Sequence, residues 1–152
     1  MEETTSGRNE QFIKSLVERV GANRPDLVAR YQRVLQESLF TNRAFVRPNI
    51  LKQAAADEAE SLLSFLMQSG FSGAQRGEKL HQAGFNVGAV LRLSQVTRQF
   101  LLESLEDHEV AHLLDTIDAY QQAVMEGFMR NLEEEHRIEL EQTRNALQRG
   151  AS

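Results

Sequence analysis

The sequence contains no cysteine and no tryptophan, and its only two prolines are Pro25 and Pro48. The absence of cysteine excludes disulfide frameworks, thiolate zinc sites, iron–sulfur clusters and cysteine nucleophiles. Aromatic residues make up only 7% of the 152 residues. With so few helix breakers and so few aromatic side chains, long helices are favoured over a β-sandwich.

Charge and hydropathy exclude further classes of protein. The chain carries 22 acidic and 17 basic residues, a formal net charge of −5, so we expect no broad nucleic-acid-binding surface. Its first ten residues, MEETTSGRNE, are polar, and no apolar run approaches the length that a membrane span requires. We therefore expect a cytoplasmic protein that binds neither nucleic acid nor membranes.

The spacing of apolar residues predicts an all-α chain of about six helices. The first is expected to end at Gly21 in a left-handed conformation, and the short fourth to stop at Gly84. Pro25 is expected in the first turn of the second helix. The residues predicted to cap or open the six helices are Asn9, Asn23, Pro48, Ser72, Asn86 and Asp107.

The last two predicted helices differ from the rest. The fifth carries apolar residues on nearly all sides, so it needs cover on two sides. The sixth has no breaker from Val110 to Arg149 except Gly127, and forty helical residues span about 60 Å. This length exceeds what a compact domain of this size needs. We expect its end to leave the domain as a coiled coil.

A parallel homodimer would cover both surfaces, with a four-helix bundle formed by the fifth and sixth helices of two chains. The predicted interface residues are Val90, Leu93, Leu113, Ile117, Tyr120, Val124, Phe128, Leu132, Leu140 and Leu147. His136 falls in the same seam. There a histidine is either a pH-sensitive position or a polar break that limits coiled-coil stability.

Residues 108–112, HEVAH, match the HExxH pattern of zinc hydrolases. On a helix, His108 and His112 would lie one turn apart and bind zinc, with Glu109 as the general base. However, the match falls at the start of a helix, and no strand is predicted beside it. The available third ligands, none of which stands out, are Asp115, Glu126 and Glu133. We therefore favour two surface histidines at an acidic helix N-terminus.

Two further features could carry chemistry. His81 precedes the fifth helix, and one imidazole can hold heme iron, with Tyr31 available on the opposite side. We favour a partly exposed histidine on a short polar helix, and so predict no cofactor. Glu58 interrupts the apolar stripe of the third helix between Asp57 and Glu60. Paired carboxylates can act as acid and base, but a solvated helix face is the favoured interpretation. The sequence has no GxGxxG, P-loop or GxSxG motif, and we predict no enzyme.

The stretch from Gly77 to Leu91, GEKLHQAGFNVGAVL, leads into Arg98-Gln99-Phe100-Leu101. This pattern, with Ile117-Asp118-Ala119-Tyr120 and the charged helix that follows, resembles the N-terminal domains of RsbR-type stressosome proteins. The resemblance covers roughly residues 75–148. It implies a globin-like fold without heme that dimerises through its last two helices. It also implies a final helix that leads into a STAS domain.

These expectations divide the chain into a polar leader (1–8), a globin-like sensory head (9–130) and a coiled-coil exit helix (131–152). The exit helix would connect to a STAS or other output domain, and other signalling proteins would dock on the assembly. The alternatives that remain are a heme-binding gas or redox sensor that uses His81 and a zinc-dependent hydrolase that uses His108, Glu109 and His112.

Overall fold

The computed structural model describes residues 2–38, 46–67 and 73–150, and over these ranges the chain forms six helices and no strand. The helices are α1 (Glu2–Ala22), α2 (Arg24–Glu37), α3 (Pro48–Leu66), α4 (Gly73–Gln82), α5 (Val87–Ser104) and α6 (Asp107–Gly150). The predicted all-α architecture of about six helices and the long C-terminal helix are confirmed.

Local sequence signals set several helix ends. Pro25 and Pro48 lie in the first turns of α2 and α3, where the missing backbone N–H breaks no helical hydrogen bond. Asn86 caps α5, because its side-chain Oδ1 accepts a hydrogen bond from Ala89 N at 2.9 Å. Gly84, with φ of 101°, adopts the left-handed conformation that favours glycine and turns the chain from α4 towards α5.

Other predicted helix ends are wrong or lie elsewhere. α1 begins at Glu2 and includes Asn9, since the preceding residues contain no proline to interrupt it. It also continues through Gly21 to Ala22, and Gly84 is the one glycine in the described part of the chain with a positive φ. Asn23 precedes α2 but makes no side-chain capping bond. The predicted cap at residue 72 lies outside the described residues.

Apolar side chains from all six helices form one continuous core. Its largest fully buried side chains include Tyr31, Phe85, Phe100, Tyr120 and Phe128. The last of these is also the last buried residue of α6. We call α1 to α5 together with α6 up to residue 128 the head.

α4 packs against α6 at very short range because glycines face the opposite backbone. A Cβ built on Gly77 would lie 1.9 Å from Val124 O, and one on Gly127 would lie 1.9 Å from Ala74 O. Only a residue without a Cβ can occupy such positions. A Cβ on Gly73 would likewise meet α6, at an earlier turn. α4 therefore lies along the part of α6 that precedes its departure from the head.

Beyond the head, α6 continues as a projecting helix whose first two turns contact His81 of α4. Residues 129–150, which we call the exit segment, make up 22 residues and about 33 Å of helix. Every residue from 136 to 150 is exposed. Within the described ranges, no helix combines the length and the apolar character that crossing a membrane requires.

Candidate functional site

The candidate functional site consists of the surfaces of α5 and α6 that no other helix covers. These surfaces differ from the predicted interface. Seven of the ten predicted interface residues are only 1–5% exposed and belong to the core of a single chain: Val90, Leu93, Leu113, Ile117, Tyr120, Val124 and Phe128. Their assignment to an intermolecular interface is wrong, because neighbouring helices of the same chain cover these side chains of α5 and α6. Leu132 is half-buried, whereas Leu140 and Leu147 are exposed on the exit segment.

A different set of apolar residues on the two helices faces solvent. These residues, which we call the outer face, are Val87, Leu91 and Leu102 on α5 and Leu114 and Met129 on α6. Each is at least 38% exposed. On each helix they lie within about 60° of one another, so they form a stripe separate from the core side.

Polar contacts join α5 and α6 between the apolar residues of the outer face. Arg98 Nη2 donates a hydrogen bond to Asp118 Oδ1 at 2.7 Å, and Gln121 Nε2 donates to the backbone carbonyl of Ser94 at 3.2 Å. Arg98 Nε also donates to Gln121 Oε1 at 3.2 Å. These contacts hold the two helices side by side, so that their apolar residues lie on a common surface.

The exit segment is stabilised by ion pairs within the helix. Arg137 contacts Glu134 at 2.6 Å and Glu141 at 2.8 Å, at the spacings that place side chains on neighbouring turns. The hydrogen bond from Arg137 lowers the pKa of Glu134, and the same pairing raises the pKa of Arg137. Such exposed pairs support the helix weakly.

His81 lies at the junction of the head and the exit segment. It is 1% exposed, and its ring packs edge-on against Phe128 with a centroid distance of 5.1 Å. Its Nδ1 lies 2.5 Å from Asn131 Oδ1, and its Nε2 lies 3.1 Å from Glu135 Oε2. The prediction of a partly exposed histidine is therefore wrong. For heme iron to bind Nδ1, the imidazole would have to lose its contact with Asn131, and for iron to bind Nε2 it would have to lose its contact with Glu135.

The HEVAH segment has a structural role at the start of α6. Glu109 is buried, pairs with Arg19, and accepts a hydrogen bond at 3.0 Å from the backbone N–H of Glu106, which is one half of a capping box. His108 is exposed, and exposed His112 packs edge-on against Phe12. Among the described residues, no group of three or more His, Asp or Glu side chains is placed to hold a metal ion. Asp107, the predicted cap, is the first helical residue.

Glu58 lies in a buried polar cluster, so its assignment to a solvated helix face is wrong. Glu58 is 4% exposed, and its Oε2 accepts a hydrogen bond from Arg76 Nε at 2.8 Å. Arg76 Nη2 also donates to the backbone carbonyl of Ala54 at 2.6 Å. The Tyr120 hydroxyl donates to Glu58 Oε1 at 3.0 Å and lies 3.1 Å from Ser61 Oγ. The cluster therefore joins α3, α4 and α6 at a fixed register.

Two buried phenols lie near the Glu58 carboxylate. The Tyr31 hydroxyl contacts Thr97 Oγ1 at 2.5 Å and joins α2 to α5. Burial raises the pKa of Tyr31 and of Tyr120, and the negative charge of Glu58 raises both further. Both phenols therefore stay neutral at physiological pH. Beside them, a cavity of about 10 Å³ lined by Glu58, Thr97 and Tyr120 has room for about one water molecule.

Sequence reasoning missed the Glu58–Arg76 pair and the glycine contacts of α4. Two signals were available: Glu58 stands inside an apolar stripe, and Gly73 and Gly77 have the four-residue spacing that lets helix backbones approach closely. Neither signal says which other helix is the partner.

Comparison of the chain with protein-family models, curated proteins and solved structures found no match.

Proposed function

We propose that this chain is the non-enzymatic, dimeric sensor domain of an RsbR-type stress-response regulator, with a globin-like head and no bound cofactor. In this proposal it is cytoplasmic, and a stimulus or a docking protein acts on the head. The last helix then passes the change to a STAS or other output domain. Other stressosome-type signalling proteins would be its partners.

The exit segment is the single observation that carries the proposal. It holds no residue that the head buries, yet it continues as helix for about 33 Å. Isolated helices are marginal in water, and most helical stability in proteins comes from packing an apolar face. A helix that extends this far from a folded head is therefore suited to pairing with a second helix and to transmitting its rotation or displacement.

Residue spacing supports a second copy of this chain as the partner. Met129 and Leu140 are 11 residues apart, about three turns, and Met129 and Leu147 are 18 residues apart, five turns. These three exposed side chains therefore align along one side of α6 and continue the outer face into the exit segment. In a two-fold symmetric pair, each such stripe meets an identical one and covers both.

Signal transfer through this arrangement requires two states of α6 that differ in free energy. The head holds α6 through the glycine contacts of α4 and through the Glu58 cluster. Any event that alters these contacts changes the angle at which the two exit segments leave the dimer. That change is the output that a downstream domain would receive.

Sedimentation velocity tests the dimer on which the proposal depends. The wild-type chain should sediment as a dimer at micromolar concentration, and Leu91→Glu should weaken self-association because it places a charge on the outer face. Ile50→Glu is the matched control, since Ile50 is also exposed, at 43%, but lies on α3. A monomeric wild type would contradict the proposal, and so would a Leu91→Glu variant as dimeric as the control.

A further inference from the structure

His81 connects the C-terminal end of α4 to the exit segment. It follows Gly73 and Gly77 at four-residue intervals, so all three lie on the side of α4 that faces α6. Its partners, Asn131 and Glu135, lie one and two turns beyond Phe128. The contacts of His81 with Asn131 and Glu135 therefore hold the first two turns of the exit segment against the head.

The partner atoms set a requirement on the imidazole. Asn131 Oδ1 and Glu135 Oε2 are both oxygens that accept hydrogen bonds, and each lies close to a different ring nitrogen. A neutral imidazole has one N–H and can donate to only one of them. The doubly protonated ring carries a positive charge and has an N–H group at each nitrogen. With the Asn131 amide in this orientation, the protonated ring donates to Asn131 Oδ1 and places its positive charge 3.1 Å from Glu135 Oε2.

Negative charge predominates in the groove beside His81. His81 lines a groove of about 590 Å³ in which Glu134, Glu135 and Glu139 of α6 supply negative charge. On its own helix, the neighbouring Glu78 and Lys79 carry opposite charges. The groove is open to solvent at half-exposed Glu135, so protons can reach the ring.

We propose that His81 is a pH-sensitive latch that holds the exit segment of α6 against α4 when protonated and releases it when neutral. Histidine changes charge between about pH 5 and pH 8, within the range that a cell can experience. Protonation adds a positive charge beside the Glu135 carboxylate, so the latch tightens as the pH falls. Within the proposed sensor function, on which this inference rests, acidity becomes an input to the signalling helix.

Amide hydrogen exchange on the full chain tests the latch, with rates divided by their intrinsic values to remove the direct effect of pH. Protection of residues 131–139 should fall about fivefold from pH 6 to pH 8, the size expected of one partly exposed ion pair. His81→Gln and Glu135→Gln should each abolish this pH dependence. His136→Gln and Glu133→Gln, which alter exposed residues of the same segment, should preserve it.

Protection that does not change with pH in the wild type would overturn the latch, as would a pH dependence that survives both His81→Gln and Glu135→Gln. Loss of the dependence in His136→Gln would assign it to the other histidine and overturn the latch equally. Glu135 is half-exposed, so Glu135→Gln keeps the test valid if His81→Gln unfolds. Sedimentation of the same samples separates the two proposals, since a pH-dependent latch in a monomer supports the latch while contradicting the dimeric sensor.

Discussion

At the scale of single residues, the buried polar groups fix how the helices fit together. A buried charge without a partner is strongly destabilising, and Glu58 is satisfied only when Arg76 of α4 and Tyr120 of α6 both reach it. The cluster contributes less to net stability than apolar side chains of equal size would, because both charges lose water on folding. Its effect is to favour one register of three helices over neighbouring ones.

The two tyrosines provide a test of this burial. Tyr31 and Tyr120 are the only tyrosines and the chain has no tryptophan, so near-ultraviolet absorbance reports on these two side chains alone. Unfolded tyrosine ionises near pH 10. Because folding raises both pKa values, their contribution to stability is complete below about pH 10 and is lost as the pH rises above it.

We therefore expect no tyrosinate signal near pH 10 while the circular dichroism remains native, and a single cooperative rise when the chain unfolds at higher pH. In urea, both tyrosines should ionise near pH 10. Tyr120→Phe should halve the amplitude of this rise in tyrosinate absorbance, because only Tyr31 then remains to ionise. Tyrosinate formed near pH 10 in the folded protein would contradict the buried positions of both side chains.

At the scale of helices, the close contact between α4 and α6 positions the exit segment. Gly77 faces the backbone of Val124 and Phe128, and Gly127 faces that of Ala74. Backbone atoms cannot rotate away from an added methyl group as a side chain can. Any larger residue must therefore separate the helices along their contact and weaken the His81 contact that follows it.

Gly77→Ala should accordingly destabilise the protein by about 1–3 kcal/mol, because the added Cβ overlaps the backbone of α6. Gly21→Ala is the matched control: no atom lies within 4 Å of its added Cβ, and alanine stabilises a helix by up to about 1 kcal/mol relative to glycine. Urea unfolding measures both changes. Equal effects of the two substitutions would contradict the close α4–α6 packing.

At the scale of the whole molecule, the chain combines a folded head with a helix that projects from it. The predicted seam from Leu113 to Leu147 does not follow one side of that helix. Leu147 follows Leu113 by 34 positions, which places it about 160° away from Leu113 around the helix axis. The seam therefore starts on the core side at Leu113 and ends on the outward side at Leu147, which is 70% exposed.

Disulfide cross-linking tests the parallel pairing of exit segments, and the absence of native cysteine removes any background. Leu140→Cys should cross-link readily under oxidation, because like positions meet across a parallel two-fold interface. Ile138→Cys is the control, since Ile138 is also exposed but lies about 160° away around the helix. Non-reducing electrophoresis measures the yield. Equal yields from the two variants would contradict a parallel pair joined along the Leu140 side.

The sequence by itself determined the helical class, the openings of α2, α3 and α5, and the unbroken length of α6. These features depend on signals within a few residues of one another, such as Pro48 in a first turn or the Asn86 cap. Spacing along one helix reports that a side is apolar, but it does not identify what covers that side. Only the tertiary structure decided that Phe128 belongs to the core, that Glu58 pairs with Arg76, and that His81 contacts the helix that leaves the head. Each depends on a helix distant in sequence.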